Sequence, residues 1–348
     1  MNNAGDETNH FMLAPGLSIV RILNGMWQVS GAHGYIDREQ ALKEMFAYHD
    51  AGFTSWDLAD IYGPAEDLVG EFRTRLASER GGAELERVKA LTKWVPEPRQ
   101  VNRQLVASSI NRSLERMRSD SIDLLQFHWW DYTNPYYIDA LKYLSELRDE
   151  GKIRHVGLTN FDTERMEVMV EDAGLTIASN QVQYSIIDRR PEVKMAPFCL
   201  KRGESGGPIR LLAYGTVCGG LMSEKYLGKP EPRGLDLNTA SLQKYKRMID
   251  LWGGWKLFQE LLSILKNIGQ QHGGASIANV ATRYILDKPA VAGVIIGARL
   301  GIAEHRADNA RTFNLSLTDN DNRAIETVCQ KSNDLFERIG DCGDEYRR

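Results

Sequence analysis

The 348-residue chain has no Cys-x-x-Cys pair, no His-x-His or His-x-x-x-His spacing and no Gly-x-Gly-x-x-Gly behind an early strand. Each absence removes a class. The four cysteines, Cys199, Cys218, Cys329 and Cys342, are widely separated. They read as buried or free thiols of a reducing compartment rather than a disulfide framework or a metal site. The seven histidines supply no metal-ligand pattern. The missing glycine fingerprint counts against an open, doubly wound dinucleotide sheet. No apolar run approaches the ~20 residues that a membrane span requires. With 43 basic against 47 acidic residues the net charge is -4, so no basic face for nucleic acid is implied. The segment from Met1 to His10 is polar and resembles neither a signal nor a transit peptide, which makes the cytoplasm the expected location.

What is present is an alternation. Leu13 to Ile22, with its Pro15-Gly16 turn, predicts an N-terminal hairpin (residues 13–22). A strand-like run from Arg21 to Gln28 follows, and Asp37 with Gln40 predicts a capping box for the next helix. Strands are then expected at Phe53–Asp57, Val88–Lys93, Ser121–His128, Ile153–Leu158, Ser179–Gln183, Ile209–Tyr214 and Val291–Ile296. Helical periodicity lies between them, including stretches near Glu66–Leu76, Thr163–Ala173 and Pro191–Lys201. Eight strands in strict alternation with helices imply parallel strands and right-handed crossovers. They close naturally into a single (β/α)8 TIM barrel spanning residues 1–348. A long insert, Gly215 to Gly274, falls inside one strand-to-helix connection and is left open between a lid and a helical layer outside the barrel. The tail, residues 334–348, is left open between a cover for the pocket mouth and a free end.

Three of the expected strands end on ionisable residues: Asp57, Lys93 and His128. Tyr62 lies five residues past the first. Singly, each has a structural explanation: a turn cap, a lysine reaching solvent, a satisfied core histidine. Jointly those explanations fail, because burial gives no reason for three adjacent strands to end this way on one barrel face. That face is where barrel enzymes carry their chemistry. A tyrosine hydroxyl titrates near ~10, too high for easy proton transfer at neutral pH. A neighbouring Lys93 ammonium is expected to lower that value, with Asp57 holding the lysine charged and His128 orienting a carbonyl. No nucleophile and no metal pattern accompanies these groups, which leaves an external hydride donor, with nicotinamide the obvious one.

These residues resemble the aldo-keto reductases. Asp57-Leu-Ala-Asp-Ile-Tyr62-Gly63 with Glu66 is similar to the family's DxAxxYGxxE signature. Thr92-Lys93-Trp94, Asp123 to Trp129, Gly157 to Phe161, Ser179 to Tyr184, Tyr214 to Leu221, and Gly297-Ala298-Arg299 with Asn309 match further motifs in order. The resemblance runs from about Leu13 to about Ala324. It implies a carbonyl reductase in which Asp57, Tyr62, Lys93 and His128 form the catalytic tetrad and Tyr62 is the acid/base. It also implies that Thr159, Asn160 and Gln181 hold the nicotinamide carboxamide and that Tyr214 stacks on the ring. Arg299, His305, Asp308 and Asn309 fall where the family grips the adenosine end. An arginine near the 2′-phosphate favours NADPH over NADH, because guanidinium binds phosphate bidentately.

Two departures qualify this. Leu300 and His305 stand where NADPH users often carry a hydroxyl residue and an arginine. The usual Tyr-Ser-Pro-Leu turn is Tyr214-Gly215-Thr216-Val217, so pyrophosphate contacts are expected from Thr216 and from amides around Gly215, Gly219 and Gly220. Trp27, Trp94 and Trp129, with Trp130, lie at or past strand ends. They are candidate walls for an apolar or aromatic carbonyl substrate, since no further Arg or Lys cluster is placed to hold an anion. Some barrels resembling this family serve as subunits of potassium channels, a sensing role with little turnover that ranks second. A two-carboxylate hydrolase built on Asp57 and Asp60 would leave the lysine and tyrosine unexplained. Oligomeric state is not legible.

Overall fold

The computed structural model describes residues 9–30, 36–202, 207–301 and 304–347. Ten strands are present among them. β1 (His10–Ala14) and β2 (Leu17–Val20) form an antiparallel hairpin. It starts three residues earlier than the sequence suggested and ends at Val20, because Arg21 leaves the hairpin to enter the barrel. Eight parallel strands then close on themselves: β3 (Ile22–Gly25), β4 (Ser55–Asp57), β5 (Lys89–Trp94), β6 (Ile122–His128), β7 (Ile153–Thr159), β8 (Ser179–Gln183), β9 (Arg210–Tyr214) and β10 (Val291–Gly297). β10 pairs with β9 on one side and with β3 on the other, Val294 lying against Ile22. The fold is the expected (β/α)8 barrel.

Side chains alternate across each strand, so every second residue points into the barrel. On β5 the inward series is Leu91, then Lys93; on β6 it is Leu124, Gln126, His128. The lower positions join the hairpin's Leu13, Leu17 and Ile19 in a small apolar cluster with Leu23, Leu212 and Ala292. The hairpin thus floors the barrel at its N-terminal end. The charged and amide side chains of Asp57, Lys93, Gln126 and Gln181 meet at the opposite end, and the outward faces of the strands pack into the main core beneath the helices.

The helices start where the sequence places caps. Asp37 accepts from the Gln40 amide at 2.7 Å and opens Arg38–Asp50. The reciprocal half of the capping box is absent, since the Gln40 side chain turns to Glu44 instead. The expected helix over 163–173 is α-helical only for Thr163–Glu167 and continues as a π-turn over Val168–Asp172. Pro191 sits in a 3₁₀ turn, and the following helix runs Met195–Arg202.

The insert resolves into two helices. Gly254–Gln271 buries Phe258, Leu261, Leu262 and Leu265 against the main core. Ala240–Trp252 instead turns Lys244 and Tyr245 toward the end of β9. Helices Ala65–Arg80 and Arg103–Met117 approach so closely that a Cβ on Gly70 would run into the Arg116 carbonyl oxygen. Gly70→Ala should therefore cost about 1–3 kcal/mol, read as a lowered thermal midpoint; an unchanged midpoint would show that the two helices can spread freely.

Candidate active site

The C-terminal ends of β4, β5 and β6 bring three of the expected residues together. Lys93 Nζ donates to both Asp57 oxygens, at 2.8 and 2.7 Å, and to the Leu58 carbonyl at 2.8 Å. Both charged side chains are almost wholly buried. Burial drives the Lys93 pKa down and the Asp57 carboxylate opposes that shift. Asp57 Oδ1 also accepts from Gln126 at 3.0 Å and from Gln181 at 2.7 Å. This satisfies the condition under which a buried ion pair is tolerable.

Tyr62 is delivered by the loop after β4, which keeps pairing with β5: the Leu58 amide donates to Leu91 and the Asp60 amide to Lys93. The Tyr62 amide then closes a turn onto Ala59, placing Lys93 Nζ 5.1 Å from the Tyr62 ring centroid. Trp27 meets the ring edge-on at 5.1 Å. The expectation that Lys93 lowers the tyrosine pKa is not what this arrangement gives. Desolvation, then Asp57, Tyr346 and Asp60, push the Tyr62 hydroxyl well above its ordinary value. Both effects favour the protonated hydroxyl, the form that can donate.

His128 is buried, its ring 4.1 Å from that of Trp130, and its Nε2 meets no partner. Burial, then Arg347 and Lys93, pull its pKa down to about 3. The ring is neutral in the folded protein and takes up a proton in the unfolded chain near the ordinary ~6.5. The sign follows. Above that value His128 contributes no pH dependence; as pH falls from there toward 3, the unfolded state binds the proton and the native state does not, so stability is lost. The loss is about 1.4 kcal/mol per pH unit for this group. Wild type should therefore lose stability relative to His128→Gln between pH 6 and pH 4; parallel unfolding curves over that range would show His128 to be charged in the native state.

The positions expected to hold a cofactor divide. Asn160 adopts a left-handed φ of 57° just past β7, with its amide bonded to the Gln181 carbonyl. Its Oδ1 accepts from the Tyr214 hydroxyl at 2.9 Å. Beside it the Thr159 hydroxyl is buried with no partner. An orphaned buried hydroxyl next to a tyrosine at a strand end fits a carboxamide-bearing ring. Gly215, at φ 74°, lies so close to Tyr245 that a Cβ would collide with its ring. Arg299 is exposed just past β10, and His305 precedes the short helix Arg306–Arg311 in which Asn309 lies.

Five of the expected residues are engaged elsewhere. Thr216 is fully buried and its hydroxyl donates inward to the Tyr184 carbonyl, so that hydroxyl is not turned toward a pyrophosphate. Gln181 spends its amide on Asp57 and Gln126. Asp308 accepts from Ser276 at 2.9 Å, bracing the start of helix Ile277–Leu286 rather than facing a ligand. Trp94 and Trp129 are core residues, packed with Phe127 and Phe161 under the helices. Trp27, 38% exposed, and Trp130 remain at the mouth.

Sequence reasoning missed Lys244, Tyr346 and Arg347. The tail reaches the site: the Tyr346 hydroxyl lies 3.0 Å from that of Tyr214, and Lys244 donates to it. Lys244 and Arg347 also set aside the expectation of no extra cation near the pocket. The signal for them was slight, two glycines, Gly340 and Gly343, that permit the turns returning the tail to the barrel.

The Aldo/keto reductase family pattern matches residues 21–330, and the chain belongs to that family. It is 28% identical over 291 residues to the aldo-keto reductase YhdN of Bacillus subtilis, covering 82% of each chain. It is 26% identical over 325 residues to the NADH-specific methylglyoxal reductase of Escherichia coli, covering 88% of this chain and 93% of that one. Among solved structures, the glycerol dehydrogenase of Gluconobacter oxydans superposes with a TM-score of 0.74 at 24% identity, over 96% of this chain and 97% of that one. One of these relatives is thus named for NADH, and an aldo/keto reductase of Klebsiella pneumoniae is solved in complex with NADP and acetate, with a TM-score of 0.67 at 20% identity over 92% of this chain and 95% of that one. Among the described residues no helix is long and apolar enough to cross a membrane.

Proposed function

We propose that the protein reduces an uncharged aldehyde or ketone, apolar or aromatic, to the alcohol, with Tyr62 as the acid. The observation that carries this reading is the buried Asp57–Lys93 pair with its ammonium 5.1 Å from the Tyr62 ring. Thr159, Asn160 and Tyr214 would hold the nicotinamide end of a dinucleotide, which would supply the hydride when bound. Tyr62 gives its proton to the carbonyl oxygen as charge develops there, and the Lys93 charge steadies the tyrosinate that remains. Asp57, tied by Gln126 and Gln181, keeps Lys93 aimed. Neutral His128, its Nε2 uncommitted, donates to the same oxygen and orients it.

The orphaned Thr159 hydroxyl, Asn160 and Tyr214 support binding of the nicotinamide end. Arg299, exposed past β10, supports NADPH ahead of NADH, although one relative is named as NADH-specific. Trp27 over Tyr62 and Trp130 over His128 support an apolar substrate face. Four buried free thiols suit a reducing compartment such as the cytoplasm.

The test is aldehyde-dependent oxidation of NADPH and NADH, followed in parallel over aromatic, aliphatic and sugar aldehydes. Turnover of aromatic aldehydes with NADPH is expected. Tight cofactor binding with no turnover across the panel would replace the enzyme by a sensing barrel.

A further inference from the structure

Residues 341–347 are built into the fold. Arg190, 1% exposed, is held by Asp188 at 2.8 Å through both Nε and Nη2. Its Nη1 donates to the Asp341 carbonyl at 3.1 Å and to Glu345 at 2.8 Å. Asp341 in turn accepts from the Thr163 amide at 2.9 Å. Gly343, at φ 88°, lies so close to Asn160 that a Cβ would strike its carbonyl oxygen. Arg347 lays its guanidinium 3.7 Å from the Tyr132 ring centroid and donates to the carbonyls of Trp129 and Asn160, at 3.1 and 2.7 Å. A buried arginine sharing two carboxylates is a costly way to hold a segment down.

These anchors place a single residue. Tyr346 stands between Tyr214, His128 and Trp130: its hydroxyl meets that of Tyr214, and its ring lies edge-on to the other two at 6.5 and 5.6 Å. The hydroxyl also draws in Lys244, whose ammonium sits 5.0 Å from the Tyr214 ring centroid and 4.5 Å from that of Tyr346. An ammonium over an aromatic face occupies space that a stacking ring would need. Asn160, the other group at that spot, has both side-chain and backbone oxygens engaged, by Tyr214 and Arg347.

We propose that the C-terminal tail is a latch that competes with the nicotinamide ring for Tyr214, so that cofactor exchange requires Tyr346 and Lys244 to withdraw. This rests on the nicotinamide reading of the preceding subsection. A protein whose binding-competent form is only part of the population binds more weakly by that fraction. Loosening the latch therefore tightens binding. The Arg347 side chain touches the Tyr132 ring and two loop carbonyls past β6 and β7, and Tyr346→Phe removes one oxygen, so both variants keep the barrel intact.

Stopped-flow quenching of protein fluorescence by NADPH, on full-length wild type, Arg347→Ala and Tyr346→Phe, reads the effect. Arg347→Ala should lower Kd about tenfold, mainly through faster association, and Tyr346→Phe should do so by a smaller factor. Carboxypeptidase should release the tail of the wild type faster when NADPH is saturating. Unchanged or weakened affinity in both variants, or a tail equally protected with and without NADPH, overturns the latch while leaving the cofactor reading standing. Quenching in none of the three proteins rejects the nicotinamide reading, and the latch with it.

Discussion

Tyr62→Phe is expected to abolish carbonyl reduction while leaving cofactor binding in place. A positioned acid contributes about 10²–10⁴ in rate, and the phenyl ring has no proton to give. The ring itself should stay where it is, because its contacts with Trp27 and with the Lys93 ammonium are made by carbon atoms that phenylalanine retains. The loss should therefore fall on kcat, with NADPH quenching near that of wild type. The elevated pKa of Tyr62 adds a pH signature: the hydroxyl stays protonated across the neutral range, so wild-type reduction should show no decline from Tyr62 ionisation below pH 10. A Tyr62→Phe protein that retained a tenth or more of the wild-type rate would move the acid role to another group, with His128 the nearest candidate.

Much of this site was legible because the barrel makes strand ends converge. A buried apolar run that stops on a charged residue marks a strand tip, and strict alternation with helices puts all tips on one face. Asp57, Lys93 and His128 could be placed from that alone. The aromatic walls were misjudged for a reason the same periodicity contains. If Lys93 points into the barrel, Trp94 must point outward to the helices; if His128 points inward, so does Trp130, and Trp129 does not. The structure puts Trp94 and Trp129 in the core and Trp130 on His128. Thr216 and Asp308 were assigned by motif position, and their hydrogen bonds run instead to the Tyr184 carbonyl and Ser276. The tail was beyond reach. Its place depends on Arg190 and Asp188, more than 150 residues away from Glu345 along the chain, and nothing local to residues 341–347 announces that partner.

Lys93→Met should cost both the reaction and the fold, and the two losses can be separated. Removing the ammonium leaves the buried Asp57 carboxyl stripped of its counter-charge, a change worth about 3–5 kcal/mol of stability. Gln126 and Gln181 soften this, since they still donate to Asp57 Oδ1, but neither carries charge. The cost therefore lies in the unpaired charge rather than in a lost contact. It follows that Asp57→Asn combined with Lys93→Met should recover most of the stability, because a neutral amide in place of the carboxylate needs no ammonium and the methionine fills the lysine stem's volume. Activity should not return with it. The double variant keeps Tyr62 and His128 but has no cation beside the tyrosine ring to hold the charge left when the proton departs. Thermal or urea unfolding of the two single variants and the double variant, with turnover measured on each, checks this. If the double variant is no more stable than Lys93→Met, the pair holds the barrel end together by packing and hydrogen bonds. If it is stable and active, the ammonium is not what makes Tyr62 a usable acid.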